Sequence, residues 1–161
     1  MAQLTGNQII ERGIIGFYAP GAIQQQGVDV RVKNIKTLTG IGEVPAEGKT
    51  VLPTYTDVAI DGNRWILPPG YYEIELLESI AIPNNAALTF KTRSSLVRCG
   101  AIVESGQFDA GFHTPSGGCF LIVHRPIIIE RNARIAQAIV HETAPVINTY
   151  NGQYQGDKQR Q

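Results

Sequence analysis

An excess of charge of either sign is missing from this sequence: 14 Lys and Arg balance 14 Asp and Glu over 161 residues. A chain without net charge exerts no long-range pull on nucleic acid or on an anionic membrane. Neither a nucleic acid polymer nor a membrane is therefore expected as a partner, and any anion site has to be local. Long hydrophobic runs are missing too. Stretches such as "FLIV" and "PIII" fall far short of the ~20 apolar residues that cross a bilayer, and no basic start followed by an apolar core marks a signal peptide. The expectation is a soluble, cytoplasmic protein. Cysteine is scarce: the two present, Cys99 and Cys119, form no CxxC pair and read as reduced thiols rather than as a disulfide. The histidines, His113, His124 and His141, have no standard zinc spacing. Neither GxxxxGK[ST] nor GxGxxG occurs, which removes the common nucleotide-binding folds.

What is present fits one domain with a single core. Near the start, "TGNQIIERG" puts Thr5 three residues before Gln8 and closes on Gly13, a capping box with a glycine stop, so one short N-terminal helix is expected. After it the chain breaks into strand-like runs separated by turn residues: "GVDVRVKNI", "RWILPPGYYEIELLESIAIP", "AALTFKTRSS", "CFLIVHRPIIIE" and "ARIAQAIVHE". The class is all-β. "GYYEIELLES" alternates as a strand with one wet face does, whereas "FLIV" and "PIII" read as buried on both sides. Residues 1–147 form the expected domain. Residues 148–161, "NTYNGQYQGDKQRQ", are too polar to pack a core and form a tail, either disordered or a flap that orders over a ligand.

Three segments carry chemistry. "TRSSLVRCG" sets Arg93 and Arg98 around Ser94 and Ser95, as a strand-to-turn junction would, or as forked donors and hydroxyls around an anion would. "VESGQFDAGFH" puts Asp109 at a turn between Phe108 and Ala110-Gly111, where aspartate is a common turn former. "NARIAQAIVHE" places Arg134 and Gln137 inside an apolar strand, on a polar strand face or as a pair of donors aimed at an anion.

In this order the segments resemble the family of dUTP pyrophosphatases and dCTP deaminases. "GVDVRV", "RSSL" with Arg98 and Gly100, "GQFDAGF", "ARIAQ" and the Tyr/Gly/Gln tail match its five motifs, and the "NQIIERG" helix is similar to the deaminase branch. The resemblance implies a distorted jelly roll, a homotrimer with sites at subunit interfaces, and a deoxynucleoside triphosphate bound with Mg²⁺. By motif match, Asp109 is the catalytic base for water, and Asp29 lies near the metal through water. The same match puts Arg93, Ser94, Ser95 and Gln137 on phosphates, and Phe112 against the deoxyribose, where a ring leaves no room for a 2′-hydroxyl. Gly106 and Gln107 belong to the hairpin backbone that reads the base. Arg98 is similar to a deaminase arginine, and Tyr150, Tyr154 and Gln155 belong to the covering tail.

Deaminating cytosine without zinc needs a glutamate to carry a proton. No carboxylate occurs between Asp109 and Glu130, and the expected position falls near Ile122. The resemblance therefore points to the dUTPase branch, with dUTP as substrate. The alternatives are a dCTP deaminase or bifunctional enzyme, and a non-catalytic nucleotide-binding regulator.

Overall fold

The computed structural model describes residues 2–157. Its first half runs through helix α1 (Gly6–Glu11) and strands β1 (Ile15–Gly16), β2 (Ile23–Gln24), β3 (Gly27–Thr39), β4 (Thr54–Asp57), β5 (Arg64–Leu67), β6 (Gly70–Leu76) and β7 (Ser79–Ala81). The second half holds β8 (Ala86–Thr92), helix α2 (Ser94–Arg98), β9 (Ala101–Glu104), β10 (His113–Thr114), β11 (Gly118–Val123), β12 (Ile127–Glu130) and β13 (Arg134–Glu142), then a 3₁₀ turn at Gln155–Asp157. The class is nearly all β, as expected. No helix among the described residues is long and apolar enough to cross a membrane.

Helix α1 forms for the reason its sequence gives. Thr5 Oγ1 accepts from the Gln8 backbone at 3.3 Å, and Gln8 Oε1 accepts from the Thr5 backbone at 2.9 Å, closing both halves of the capping box. Gly13, at φ +66, ends it: its N–H reaches Ile10 O and the Ile14 N–H reaches Ile9 O, a Schellman arrangement. Six residues do not hold a helix in water, so burial of Ile9 against the sheet supplies the rest.

The main sheet has the order β8-β13-β3-β6-β11-β9, with β2 and β4 also on β3. Its long strand β3 pairs with β13 through its first half and with β6 through its second, and register shifts near Val32 and near Arg134 bend the sheet there. Bending brings the two edge strands together. Val103 N donates to Thr92 Oγ1 at 2.8 Å, Phe90 N donates to Ser105 Oγ at 3.3 Å, and Leu88 and Phe108 exchange backbone bonds beyond them. The sheet is thus nearly closed, with one core of fully buried side chains such as Trp65, Ile35, Ile74, Leu88 and Leu121. Each contributes about 1.5–3 kcal/mol through its burial.

Two expectations change. The "RSS" end of the third strand run is the N-cap and start of α2, a second helix beside the single one expected. Leu96 plugs the turn into the core, and Gly100 at φ +86 closes it, its N–H reaching Val97 O at 3.0 Å. "PIII" is not buried on both sides either. In β12 Ile128 is 55% exposed, directly across from Ile66 of β5, which is 56% exposed. These strands make a separate two-stranded ribbon with one covered face.

Candidate active site

Strands β9 and β11 form a hairpin whose long connection, residues 105–117, folds back toward β8. Between that connection and the face of β6 and β11 lies a cleft of about 810 Å³. Gly106, Gln107, Asp109, Phe112, Tyr150 and Tyr154 line it, all of them candidates from the sequence.

Asp109 sits where backbone constraints on both sides fix it. Phe108 is bonded to Leu88 in both directions, at 2.8 and 3.0 Å, and the Phe112 N–H closes a turn onto Asp109 O at 3.0 Å. Gly111, at φ +87, supplies the left-handed residue this turn needs. The carboxylate is exposed, and Gln107 Nε2 donates to its Oδ1 at 3.0 Å. Asp109 and Gln107 also line a smaller hollow of about 340 Å³ beside Ala86 and Ala87, so water reaches the carboxylate from two sides. Below the turn, four rings run from core to surface: Phe90 to Phe108, Phe108 to Phe112 and Phe112 to Tyr150, with centroids 5.3, 5.3 and 5.6 Å apart. Phe112 is held rigidly in that chain.

The tail lies on the same turn. Tyr150 N donates to Ala110 O at 2.8 Å. Gln155 Oε1 accepts from the His113 backbone at 2.9 Å, while its Nε2 donates to Gly111 O and Tyr150 O at 2.9 and 3.0 Å. Residues 150–157 thus pack over the aspartate turn of their own chain. The end of the tail, residues 158–161, lies outside the described residues.

A second polar group is built on β3, β13 and the start of α2. Asp29 is only 2% exposed, and its Oδ2 lies 3.2 Å from Arg93 Nε and 3.5 Å from Arg134 Nη1. Gln137 faces Asp29 directly across the ladder and bonds its carboxylate. Burial raises the Asp29 carboxyl above its ordinary value; Arg93, Arg134 and the Gln137 bond oppose that rise without cancelling it. Arg93 Nη1 donates to Arg134 O at 3.0 Å, so the two arginines are tied to each other as well. Ser94, Ser95 and Arg98 follow on α2, all exposed.

One chain does not bring these groups together. Asp109 adjoins the Leu88 end of β8, and Arg93 follows its other end, five residues on. At strand rise that separates them by roughly 17 Å.

Among the cleft residues that escaped the sequence reading are Lys36, Tyr55 and Glu73. Glu73 matters most. It is 7% exposed, lies in β6 directly opposite Phe120 of β11 and Lys36 of β3, and puts a buried carboxylate in the cleft that holds Asp109. The stretch between Asp109 and Glu130 does lack a carboxylate, but one reaches the cleft from another strand. The available signal was the alternation in "GYYEIELLES": the wet face it foretold is the cleft wall.

Comparison with known proteins bears on the family and the fold. Residues 3–143 match the family described as dCTP deaminase-like. A protein of Methanosarcina acetivorans named probable deoxyuridine 5′-triphosphate nucleotidohydrolase is 33% identical over 139 residues, covering 84% of this chain and 81% of that one. One of Aeropyrum pernix with the same name is 31% identical over 157 residues, covering 96% and 98%. The fold is similar to that of the 2′-deoxycytidine 5′-triphosphate deaminase of Agrobacterium tumefaciens, at a TM-score of 0.63 and 19% identity over 88% of this chain. The match spans 48% of that deaminase, about half its length. With the family pattern running from the α1 helix through β13, the chain belongs to the dCTP deaminase-like family.

Proposed function

We propose that this protein hydrolyses dUTP to dUMP and pyrophosphate. The observation that carries the reading is Asp109: an exposed carboxylate fixed by Gln107 and by a rigid turn at the mouth of an aromatic-floored cleft, in a chain whose archaeal relatives are named for this hydrolysis. Asp109 takes a proton from water as the water oxygen bonds the α-phosphorus. The bond from that phosphorus to the bridging oxygen breaks, and pyrophosphate leaves. Phe112 packs against the deoxyribose and excludes a 2′-hydroxyl. The hairpin backbone around Gly106 and Gln107 meets the base edge.

The phosphates need the second polar group. Arg93, Ser94, Ser95 and Gln137 supply donors, with Arg98 beside them, but they lie too far from Asp109 in one subunit. The reading therefore includes a homotrimer of jelly-roll subunits in which one chain's serines face another chain's aspartate, with Tyr150, Tyr154 and Gln155 closing the cleft. Separation of the two groups and the polar character of each support it.

Among the described residues, no three His, Cys, Asp or Glu side chains gather to hold a metal. Mg²⁺ needs no such cluster, because it keeps its waters and is gripped mainly by phosphate oxygens with one or two carboxylates at most. Asp109 is the carboxylate that fits. Asp29 fits less well, because two guanidinium groups already face it; holding Arg93 and Arg134 in place accounts for its burial. When bound, the ion neutralises charge on the triphosphate.

Deamination of dCTP is the second reading, and Glu73 in the cleft is the observation in its favour. Incubation with dUTP and with dCTP in the presence of Mg²⁺, with pyrophosphate and ammonia measured separately, decides. Pyrophosphate from dUTP alone is the expected result; ammonia from dCTP selects the deaminase, and neither product leaves a nucleotide-binding regulator.

A further inference from the structure

Resting on the dUTP reading, we infer that the hollow on the far side of the aspartate turn is a water port. It holds an ordered water on Thr143 and feeds the hydrolytic water to Asp109 while nucleotide and tail fill the main cleft. Gln107, Asp109 and Tyr150 line both spaces, so these three residues form the partition between them. The cleft side closes. Phe108, Phe112 and Tyr154 line it, and the tail is bonded across the turn, from Tyr150 N to Ala110 O and from Gln155 Nε2 to Gly111 O. A nucleotide seated there expels the water of the cleft. Hydrolysis still consumes one water in every turnover, and the approach left to the carboxylate is the hollow behind it.

The lining of the hollow suits water. Its volume of about 340 Å³ has room for several molecules. Ala86, Ala87 and Ala110 keep it open, because none of them reaches beyond a methyl group, and Gln107, Asp109, Thr143 and Asn148 give it polar groups. Thr143 is the sharpest sign. Its Oγ1 is buried and has no hydrogen-bond partner among the described residues. Leaving a buried hydroxyl bare is costly, so such a group takes a water where the protein offers nothing. The Thr143 backbone is fixed for that task, its N–H bonding Asn85 O at 2.8 Å beside Ala86. Gln107 Nε2 meanwhile holds Asp109 Oδ1 at 3.0 Å, which leaves Oδ2 to accept from the incoming water. Thr143 is thus a positioning residue that acts on Asp109 through water.

The test narrows the port and reads which nucleophile passes. Methanol entering by it gives its hydroxyl proton to Asp109, its oxygen bonds the α-phosphorus and pyrophosphate leaves, so the product is the methyl ester of dUMP. Ala87 lines the hollow and not the cleft, and Ala87→Leu fills it. With dUTP in buffer containing methanol, Ala87→Leu lowers kcat roughly tenfold at unchanged KM. It also lowers the ratio of methyl ester to dUMP several-fold, because the larger nucleophile is shut out first. A displaced Asp109 slows both nucleophiles alike, so a fall in kcat at constant ratio overturns the port. So does a kcat within about twofold of wild type, or a wild type that hydrolyses dUTP and forms no methyl ester. Thr143→Val removes the hydroxyl at constant shape and lowers kcat about three- to tenfold, the worth of one hydrogen bond, while Thr143→Ser restores it. If Ala87→Leu does not fold, as judged by thermal melting, this pair decides: T143V as fast as wild type, or T143S as slow as T143V, overturns the inference. A wild type that releases no pyrophosphate overturns the hydrolase reading, and the port with it.

Discussion

Gln137 of β13 stands directly opposite Asp29 of β3 and bonds a carboxylate that Arg93 and Arg134 already flank. Despite those three partners, the Asp29 carboxyl titrates above its ordinary value, because burial costs the charged form more than they return. Folding therefore favours its protonated form. The stability it contributes is present below the unfolded value of 3.8 and is lost as pH rises through the raised folded value. Melting curves of wild type and Asp29→Asn across that window should show the wild-type advantage shrinking as pH rises. A growing advantage would mean that the arginines outweigh burial. The same variant separates two roles in catalysis: an unchanged Mg²⁺ requirement with weaker nucleotide binding marks Asp29 as the support of Arg93 and Arg134, and a raised requirement marks it as facing the metal.

Asp109 should behave as a reacting group. Asp109→Asn keeps the turn, since the Phe112 N–H bonds the backbone oxygen, and keeps a partner for Gln107. Loss of the base removes on the order of 10²–10⁴ in kcat. Affinity for a non-hydrolysable dUTP analogue, measured by calorimetry, stays within a few-fold of wild type. Turnover that survives the substitution points to another base.

Gly111 joins the catalytic turn to the tail. At φ +87 a side chain strains the backbone, and a Cβ there collides with Thr149, next to the residue that bonds Ala110. Gly111→Ala should cost at least about 1 kcal/mol in thermal unfolding and release the tail to limited proteolysis. Gln155→Ala removes two bonds of the tail to the turn and one within the tail without straining the turn, so it should release the tail with little change in melting temperature and raise KM for dUTP.

Much of this was legible in the residues because its causes are local. Thr5, Gln8 and Gly13 specify a capped helix among themselves, and the strand runs follow from alternation and turn residues. Asp109 and Gln107 meet because they are two positions apart in one turn. What escaped reading depends on distant pairing. Helix α2 exists because Leu96 finds the core, which nothing inside "RSSLVR" announces. The ion-pair cluster needs the β3–β13 register to bring Asp29 to Arg134. Glu73 enters the cleft only because β11 pairs with β6, so a search confined to the stretch after Asp109 could not find it.

The proposed site, in which Asp109 and Arg93 stand roughly 17 Å apart along β8, draws on two subunits, and mixed oligomers test that proposal. Take Asp109→Asn and a Ser94→Ala/Ser95→Ala double variant, each inactive alone. In a symmetric oligomer every site repeats the same heterologous pairing. Mixed assembly then creates sites whose aspartate comes from the serine variant and whose serines come from the aspartate variant, both intact. With random equal mixing about a quarter of the sites are whole. Co-refolding the two variants should therefore restore about a quarter of wild-type pyrophosphate release, rising from nearly nothing as the subunits exchange. Sites contained within one chain would show no recovery at any mixing ratio, because each chain would carry its own defect into its own cleft.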